Sequence, residues 1–275
     1  MEYAAIYRMG VETLKAAGIE EALLDARLLL EEACGTDRNT LLAHGDFEVS
    51  PRQEECYMDY IRQRSGHVPL QHIVGYQDFM GLRFQVSPAV LIPRPDTETL
   101  VEEVMFFLHD GMRVLDLCTG SGCILLSLLR YSNDCVGTGS DLSEEALETA
   151  RENASRLGLC AEFVKSDLFE TIEGKFDMIV SNPPYIRSGD IPGLMEEVRE
   201  HDPLIALDGG EDGLGFYREI IGQAGEYLYP GGMLFFEIGH DQGREVSEAM
   251  RGTGYRDVKV CKDLSGLDRV VYGRF

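Results

Sequence analysis

Phe176-Asp177-Met178-Ile179-Val180-Ser181-Asn182-Pro183-Pro184-Tyr185 is the stretch whose reading decides the fold. Its first half is short, apolar, rich in β-branched residues and bounded by polar ones, which is how a buried strand reads. Two prolines then end the strand, because neither can donate to a ladder. Pro183 also biases Asn182 toward an extended conformation. The product is a stiff turn at the carboxyl end of a strand, carrying one amide and one aromatic ring. Ligands of open α/β sheets bind at that end of the strands. The five residues alone read equally well as a plain surface turn, since Asn-Pro is a common turn starter. The segments upstream separate the two readings.

From residue 112 onward strands and helices alternate, the pattern of a doubly wound parallel α/β sheet. Strands are expected at Arg113–Leu117, Cys135–Ser140, Ala161–Lys165, Phe176–Val180 and Met233–Ile238, with Tyr255–Lys262 and Arg269–Arg274 as a terminal pair. Helices are expected near Ser121–Arg130, Ser143–Leu157, Phe216–Leu228 and Gln242–Arg251, and Asp96 reads as the N-cap of a helix over Thr97–His109. Arg187–Gly215 reads as an irregular loop over the site. Residues 1–66 read as four short helices, Glu2–Ala17, Glu20–Cys34, Arg38–Ala43 and Arg52–Arg64, a bundle that nothing marks as catalytic. Between them, Tyr76–Phe79 and Leu82–Val86 around Met80-Gly81 carry a hairpin signal. The expected organisation is therefore a helical recognition domain over 1–66, a hairpin and linker over 67–95, and an α/β domain over 96–275.

A net charge of −23 on 275 residues is the strongest global feature. Residues 1–70 hold 13 acidic and 7 basic residues, so the acidity belongs to the whole surface and not to a tail. Such a field repels phosphate backbones, which argues for a protein partner and against direct nucleic-acid binding. No apolar run approaches a membrane span, and the start of the chain lacks a basic-then-apolar layout, so a cytoplasmic protein without a membrane partner is expected. The seven cysteines form no C-x-x-C pair and the six histidines no paired pattern. Reduced thiols and no metal are expected.

The cofactor signal begins at Val114-Leu115-Asp116-Leu117-Cys118-Thr119-Gly120-Ser121-Gly122, a strand that runs through a glycine turn into a helix. Glycines let a ligand approach the backbone, and the helix start offers free N–H groups. No Gly-Lys-Ser/Thr follows, so this is not a phosphate loop, and Leu125 stands where a dinucleotide fingerprint has its third glycine. The next strand ends at Asp141, where an acid can bond both ribose hydroxyls of a nucleoside. The third ends at Ser166-Asp167-Leu168, where a carboxylate can accept from an exocyclic amine and Leu168 can cover a base. Three acids at the ends of successive strands make a nucleoside pocket, and the fourth strand delivers Asn182 beside it.

On these residues the chain resembles the class I S-adenosylmethionine-dependent methyltransferases. More narrowly it resembles the PrmC/HemK family, the protein-(glutamine-N5) methyltransferases that modify peptide chain release factors. The hairpin Pro69–Val86, Leu91-Ile92-Pro93-Arg94-Pro95-Asp96-Thr97-Glu98, Asp116–Gly122, Asn182–Tyr185, Ala206-Leu207-Asp208-Gly209-Gly210 and Glu237-Ile238-Gly239 all look like that family's signatures. The Asn-Pro-Pro-Tyr turn is shared with N6-adenine DNA methyltransferases; the proline-arginine segment, the Leu-Asp-Gly-Gly loop and the N-terminal bundle narrow the choice. Cys118 stands where the family more often has glycine, and Leu168 where a bulkier aromatic can occur.

The resemblance implies a seven-stranded Rossmann-like methyltransferase domain behind a small helical bundle and a β-hairpin connector, acting as a monomer. It implies S-adenosyl-L-methionine held by Asp116, Cys118, Thr119, Gly120, Ser121, Gly122, Asp141, Asp167, Leu168 and Asn182. It implies methyl transfer to the glutamine side-chain nitrogen in the Gly-Gly-Gln loop of class-1 release factors. Asn182, Pro183 and Tyr185 are then catalytic, and Pro184 joins them against the substrate. Asn182 and the Pro183 carbonyl can accept from the amide NH₂, and Tyr185 can stack on its plane. Two rival readings stand beside this one: an N6-adenine-type nucleic-acid methyltransferase, and a non-catalytic binding protein that keeps the cofactor fold.

Overall fold

The computed structural model describes residues 1–275. The chain divides into two compact units, Met1–Tyr76 with Met195–His201, and Gln77–Leu194 with Asp202–Phe275.

The first unit is helical: α1 (Tyr3–Ala16), α2 (Ala22–Cys34), α3 (Arg38–Ala43), α4 (Pro51–Ser65) and α5 (Leu70–Val74). Local chemistry sets the ends. Asp37 caps α3 by accepting the Thr40 N–H at 2.8 Å. Ser50 and Gln53 cap each other at the start of α4, with Pro51 at its first position. The core is Ile6, Leu14, Ala26, Leu29, Leu30, Tyr57 and Ile61. The short helix α5 lies where the sequence suggested only a lead into the hairpin. Buried Arg64 bonds the Asp25 carboxylate at 2.7 Å, the Val68 carbonyl at 3.2 Å and Glu197 at 2.6 Å.

The second unit begins at Gln77, within the hairpin of β1 (Tyr76–Phe79) and β2 (Leu82–Gln85), which is followed by α6 (Glu98–Met105). Next come β3 (Arg113–Leu117), α7 (Cys123–Arg130), β4 (Val136–Asp141), α8 (Glu144–Leu157), β5 (Glu162–Lys165) and β6 (Phe176–Ser181). After α9 (Glu196–His201), which belongs to the first unit, come α10 (Gly215–Tyr227), β7 (Leu228–Glu237), α11 (Gly243–Gly252), β8 (Arg256–Lys262) and β9 (Asp268–Arg274). The seven-stranded sheet runs β5-β4-β3-β6-β7-β9-β8. Its central strands alternate between two apolar layers, as a period of two requires. Leu115, Ile179, Leu234 and Phe236 pack with Tyr217, Ile220, Val246 and Met250 on one face. Val114, Met178, Val180 and Phe235 pack with Leu100, Val104, Leu125 and Leu128 on the other. No helix is long and apolar enough to cross a membrane.

Three expectations are corrected. The sheet is mixed, because β9 runs antiparallel to both β7 and β8; a short reversal after β8 cannot supply a parallel crossover. The helix after the proline-arginine segment starts as a 3-10 turn at Pro95–Thr97 and ends at Met105, short of His109. Asp96 lies inside that turn and caps nothing; its carboxylate pairs with Arg269 at 3.1 Å. The stretch Arg187–Gly215 is not structureless. It contains α9 and two 3-10 turns, and it is pinned where Ile186 N–H donates to Leu207 O at 3.0 Å and Gly209 N–H to Ile186 O at 2.8 Å.

Candidate active site

Strand register builds the site. Leu117 stands opposite Ser140 on one side and Ser181 on the other, so β4, β3 and β6 end level. The glycine loop, Asp141 and Asn182 therefore emerge side by side. The loop reverses tightly: Cys118 has φ +59° and Gly120 φ +54°. A left-handed backbone costs about 1 kcal/mol for a residue with a Cβ, which is the physical reason that glycine suits position 118. Beneath the loop, fully buried Asp116 accepts from the Thr119 hydroxyl at 2.6 Å. Burial pushes the Asp116 carboxyl up to about 7, against the pull of that bond.

Asp141 is held by the loop it faces. One oxygen accepts the Gly120 N–H at 2.9 Å and the other the Ser143 N–H at 2.9 Å. Burial raises its carboxyl, and the Ser143, Gly120 and Leu142 N–H groups pull it back. Each oxygen keeps a lone pair for a ligand. The loop is braced from behind by buried Asn153, whose side chain accepts from Gln85 N–H at 2.7 Å and donates to Gln85 O at 3.1 Å and Ser121 O at 2.9 Å.

The Asn-Pro-Pro-Tyr turn is anchored at both ends. Upstream, the Ser181 hydroxyl donates to Leu117 O at 2.8 Å. Downstream, the Tyr185 hydroxyl donates to Glu237 at 3.3 Å, and the Tyr185 carbonyl accepts from the Gln242 side chain at 3.0 Å. Glu237 is buried, and burial raises its carboxyl to about 7 despite Thr97, Arg269 and Tyr185. Burial and the Glu237 charge in turn push the Tyr185 phenol well up. Between the two anchors, the Asn182 Oδ1 is buried and has no hydrogen-bond partner in the protein.

A single cavity gathers Cys118, Thr119, Gly120, Ser121, Asp141, Asp167, Leu168, Asn182 and Pro184. Asp116, Gly122, Pro183 and Tyr185 do not line it. Asp116 lies under the loop, and the Tyr185 ring packs against the apolar layer with Tyr217 and Phe236. The rest of the wall includes Pro93, Arg94 and Thr97, from the proline-arginine segment that the sequence marks as a family signature without a site role, and Leu142, Ile205 and Phe216, which no motif marks. Arg94 reaches buried Asp202 at 2.6 Å. A lone cation between two prolines, in a chain this acidic, was the signal available for it. The donor set fits a nucleoside with an amino-acid tail. Two carboxylates sit at adjacent strand ends, apolar Leu142 and Leu168 flank them, and a glycine loop lies alongside.

Residues 5–75 match the PrmC N-terminal domain, and residues 95–198 match the methyltransferase small domain. A release factor glutamine methyltransferase from Clostridium acetobutylicum is 41% identical over 265 residues, which cover 94% of this chain and 93% of that protein. The chain belongs to the release factor glutamine methyltransferase family. Solved structures add the fold. A methyltransferase from Pyrococcus furiosus superposes with a TM-score of 0.54 at 23% identity, covering 70% of this chain and 89% of that one. The T. thermophilus 16S rRNA N2 G1207 methyltransferase, in complex with AdoMet and guanosine, gives 0.53 at 20% identity, covering 72% and 49%. The expected α/β methyltransferase sheet behind an N-terminal helical region is therefore the one observed. As a member of this family the chain is a methyltransferase that uses S-adenosylmethionine.

Proposed function

We propose that this enzyme transfers a methyl group from S-adenosyl-L-methionine to the side-chain amide nitrogen of the glutamine in the Gly-Gly-Gln loop of class-1 peptide chain release factors. The observation that carries the proposal is the buried, unpartnered Oδ1 of Asn182 on the wall of the cavity. An acceptor left without a donor costs about 1–3 kcal/mol. A planar NH₂ group entering the cavity satisfies it.

The bound cofactor supplies an electrophilic methyl on a sulfonium. Asp141 takes the ribose hydroxyls with the lone pairs that its backbone bonds leave over. Asp167 accepts from the exocyclic amine, and Leu142 and Leu168 cover the base. Asp116 acts from below, holding Thr119 and so the loop that runs from Cys118 to Gly122. An amide nitrogen is a weak nucleophile because its lone pair is delocalised. Asn182, by accepting one of its hydrogens, turns the lone pair toward the methyl and offsets the positive charge that develops, while Pro183, which does not line the cavity, stiffens the turn that carries it. The new N–C bond forms as the S–C bond breaks, and the acidic N-methylated amide gives its proton to water, so no strong base or metal is needed. Pro184 walls the substrate side, and Tyr185 serves from behind the turn.

A net charge of −23 supports a protein substrate over a duplex. The helical domain over residues 1–66 is assigned to the body of the release factor, the linker to 67–95 and catalysis to 96–275. The enzyme works as a cytoplasmic monomer.

The test is transfer of labelled methyl to a purified release factor, to a variant lacking the loop glutamine, and to duplex DNA. Label on the intact factor alone is expected. Label on DNA moves the activity to the N6-adenine class, and a bound cofactor without turnover favours the non-catalytic reading. Asn182→Ala is expected to lower kcat by about 100-fold or more while cofactor affinity stays within about threefold, the loss of one preorganised polar partner of the reacting group. Undiminished turnover in that variant defeats the assignment.

A further inference from the structure

We propose that Gln242 is a positioning residue for methyl transfer: its side-chain amide clamps the Asn-Pro-Pro-Tyr turn from the downstream side and thereby sets where Asn182 presents its oxygen. The proposal rests on the role given to Asn182 above.

Gln242 is buried and every hydrogen-bonding valence of its side chain is used. Nε2 donates to Tyr185 O at 3.0 Å and to Gly213 O at 3.1 Å. Oε1 accepts from Gly239 N–H at 2.9 Å and, at 3.3 Å, shares the Tyr217 hydroxyl proton that also goes to Glu237 O at 3.0 Å. The two carbonyls on one side and the Gly239 N–H on the other fix the orientation of the amide. One side chain thus ties four pieces together: the catalytic turn, the end of the Asp208–Gly213 loop, the Glu237-Ile238-Gly239 turn and α10.

The loop is pressed against the back of the turn. A Cβ at Gly209 would lie 2.7 Å from Tyr185 Cα, and one at Gly213 would lie 2.5 Å from Tyr185 O and 2.8 Å from Gln242 Nε2. Only residues without side chains let turn and loop reach one amide. The Leu-Asp-Gly-Gly and Glu-Ile-Gly motifs are thereby accounted for as parts of a single clamp.

The clamp acts at a distance because the turn is stiff. Pro183 and Pro184 each have φ fixed near −65°. With Ser181 bonded to Leu117 O upstream and Tyr185 O bonded to Gln242 downstream, few torsions are left to Asn182. Gln242 itself does not line the cavity, so its effect passes through Tyr185. Misplacing a reacting partner by about 1 Å can cost on the order of 100-fold in rate.

The experiment compares wild type with Gln242→Met, which keeps the length and loses all four bonds. Three quantities are read: kcat and KM for the release factor, calorimetric Kd for S-adenosylmethionine, and amide hydrogen exchange. The expected result is a kcat about 30-fold lower, a cofactor Kd within about threefold, and faster exchange at Ile186 and Gly209 with β3 and β4 unchanged. A merely structural role predicts lower thermal stability with an unchanged kcat for the folded enzyme, and that result overturns the proposal. Gln242→Asn retains an amide one methylene short of both carbonyls and is expected to show the same split, which covers the case in which the Met variant does not fold. If wild type leaves the release factor unlabelled, the functional reading fails. The exchange pattern then still decides the clamp: protection at Ile186 and Gly209 that is unaltered in both variants refutes it.

Discussion

Replacing Glu237 with glutamine is expected to remove a pH dependence from the stability of this enzyme. Glu237 lies fully inside the protein, and burial raises its carboxyl from 4.5 to about 7, while Thr97, Arg269 and Tyr185 only partly oppose the shift. A raised carboxyl means that the folded state binds the proton more tightly than the unfolded chain does. Its stabilising contribution is complete below about pH 4.5 and is lost as pH rises through about 7. At roughly 1.4 kcal/mol per pH unit, that displacement amounts to about 3 kcal/mol. Glutamine has the same shape, still accepts the Tyr185 hydroxyl and cannot ionise. The variant and wild type should therefore be similar in stability at pH 5, and the variant should gain steadily to a lead of about 3 kcal/mol by pH 8. The assay is urea unfolding at pH 5, 6, 7 and 8, with the two proteins compared at each pH. Taking the difference cancels groups common to both, including Asp116, which burial also raises to about 7. It likewise cancels Asp208, Asp212 and Asp241, whose bonded carboxylates are lowered and act in the opposite sense. A difference that stays flat across the range, or a variant that is the weaker protein at pH 8, refutes the reasoning. Either would mean that Arg269 compensates the buried charge.

Two further outcomes follow from named contacts. Arg64→Met strands the buried Asp25 carboxylate and releases Glu197, and should lower the stability of the helical unit by about 3 kcal/mol, read as a fall in its thermal midpoint. Asp141→Asn exchanges a carboxylate that already holds Gly120 and Ser143 for an amide that cannot accept on both sides; cofactor affinity by calorimetry should weaken by about tenfold or more, and an unchanged Kd counts against the ribose role.

What the sequence made legible follows a physical rule. β3, β6 and β7 could be read because burial on both faces leaves a short continuous apolar run, and the residue that ends each run is then placed at the sheet's carboxyl edge. Asn182 follows β6 in this way; Asp141 ends β4 and Asp167 follows β5, strands without so apolar a run that were placed by their alternation with helices, and all three residues line the cavity. Asp116 and Tyr185 were named by the same adjacency yet lie behind the wall, because adjacency to a strand end says nothing about which way a side chain points. The residues that brace the site were invisible for another reason. Gln242 meets partners 57 and 29 positions away, and Asn153 meets Gln85 at a separation of 68. A buried amide whose partners are that remote leaves no local pattern.

The stretch Arg187–Gly215 shows why composition misled there. Glycine, proline and aspartate signal turn chemistry, which in sequence reads as a loop over the site. Yet turn residues are also what lets backbone approach backbone. Gly209 and Gly213 come so close to Tyr185 that no Cβ fits, and the bonds from Ile186 to Leu207 and Gly209 form a short parallel bridge. The glycines here are therefore contact residues rather than hinges. Their prediction differs accordingly: a substitution at Gly213 does not loosen a lid but pushes on the Tyr185 carbonyl and on Gln242, so its effect belongs with methyl transfer and not with access to the cavity.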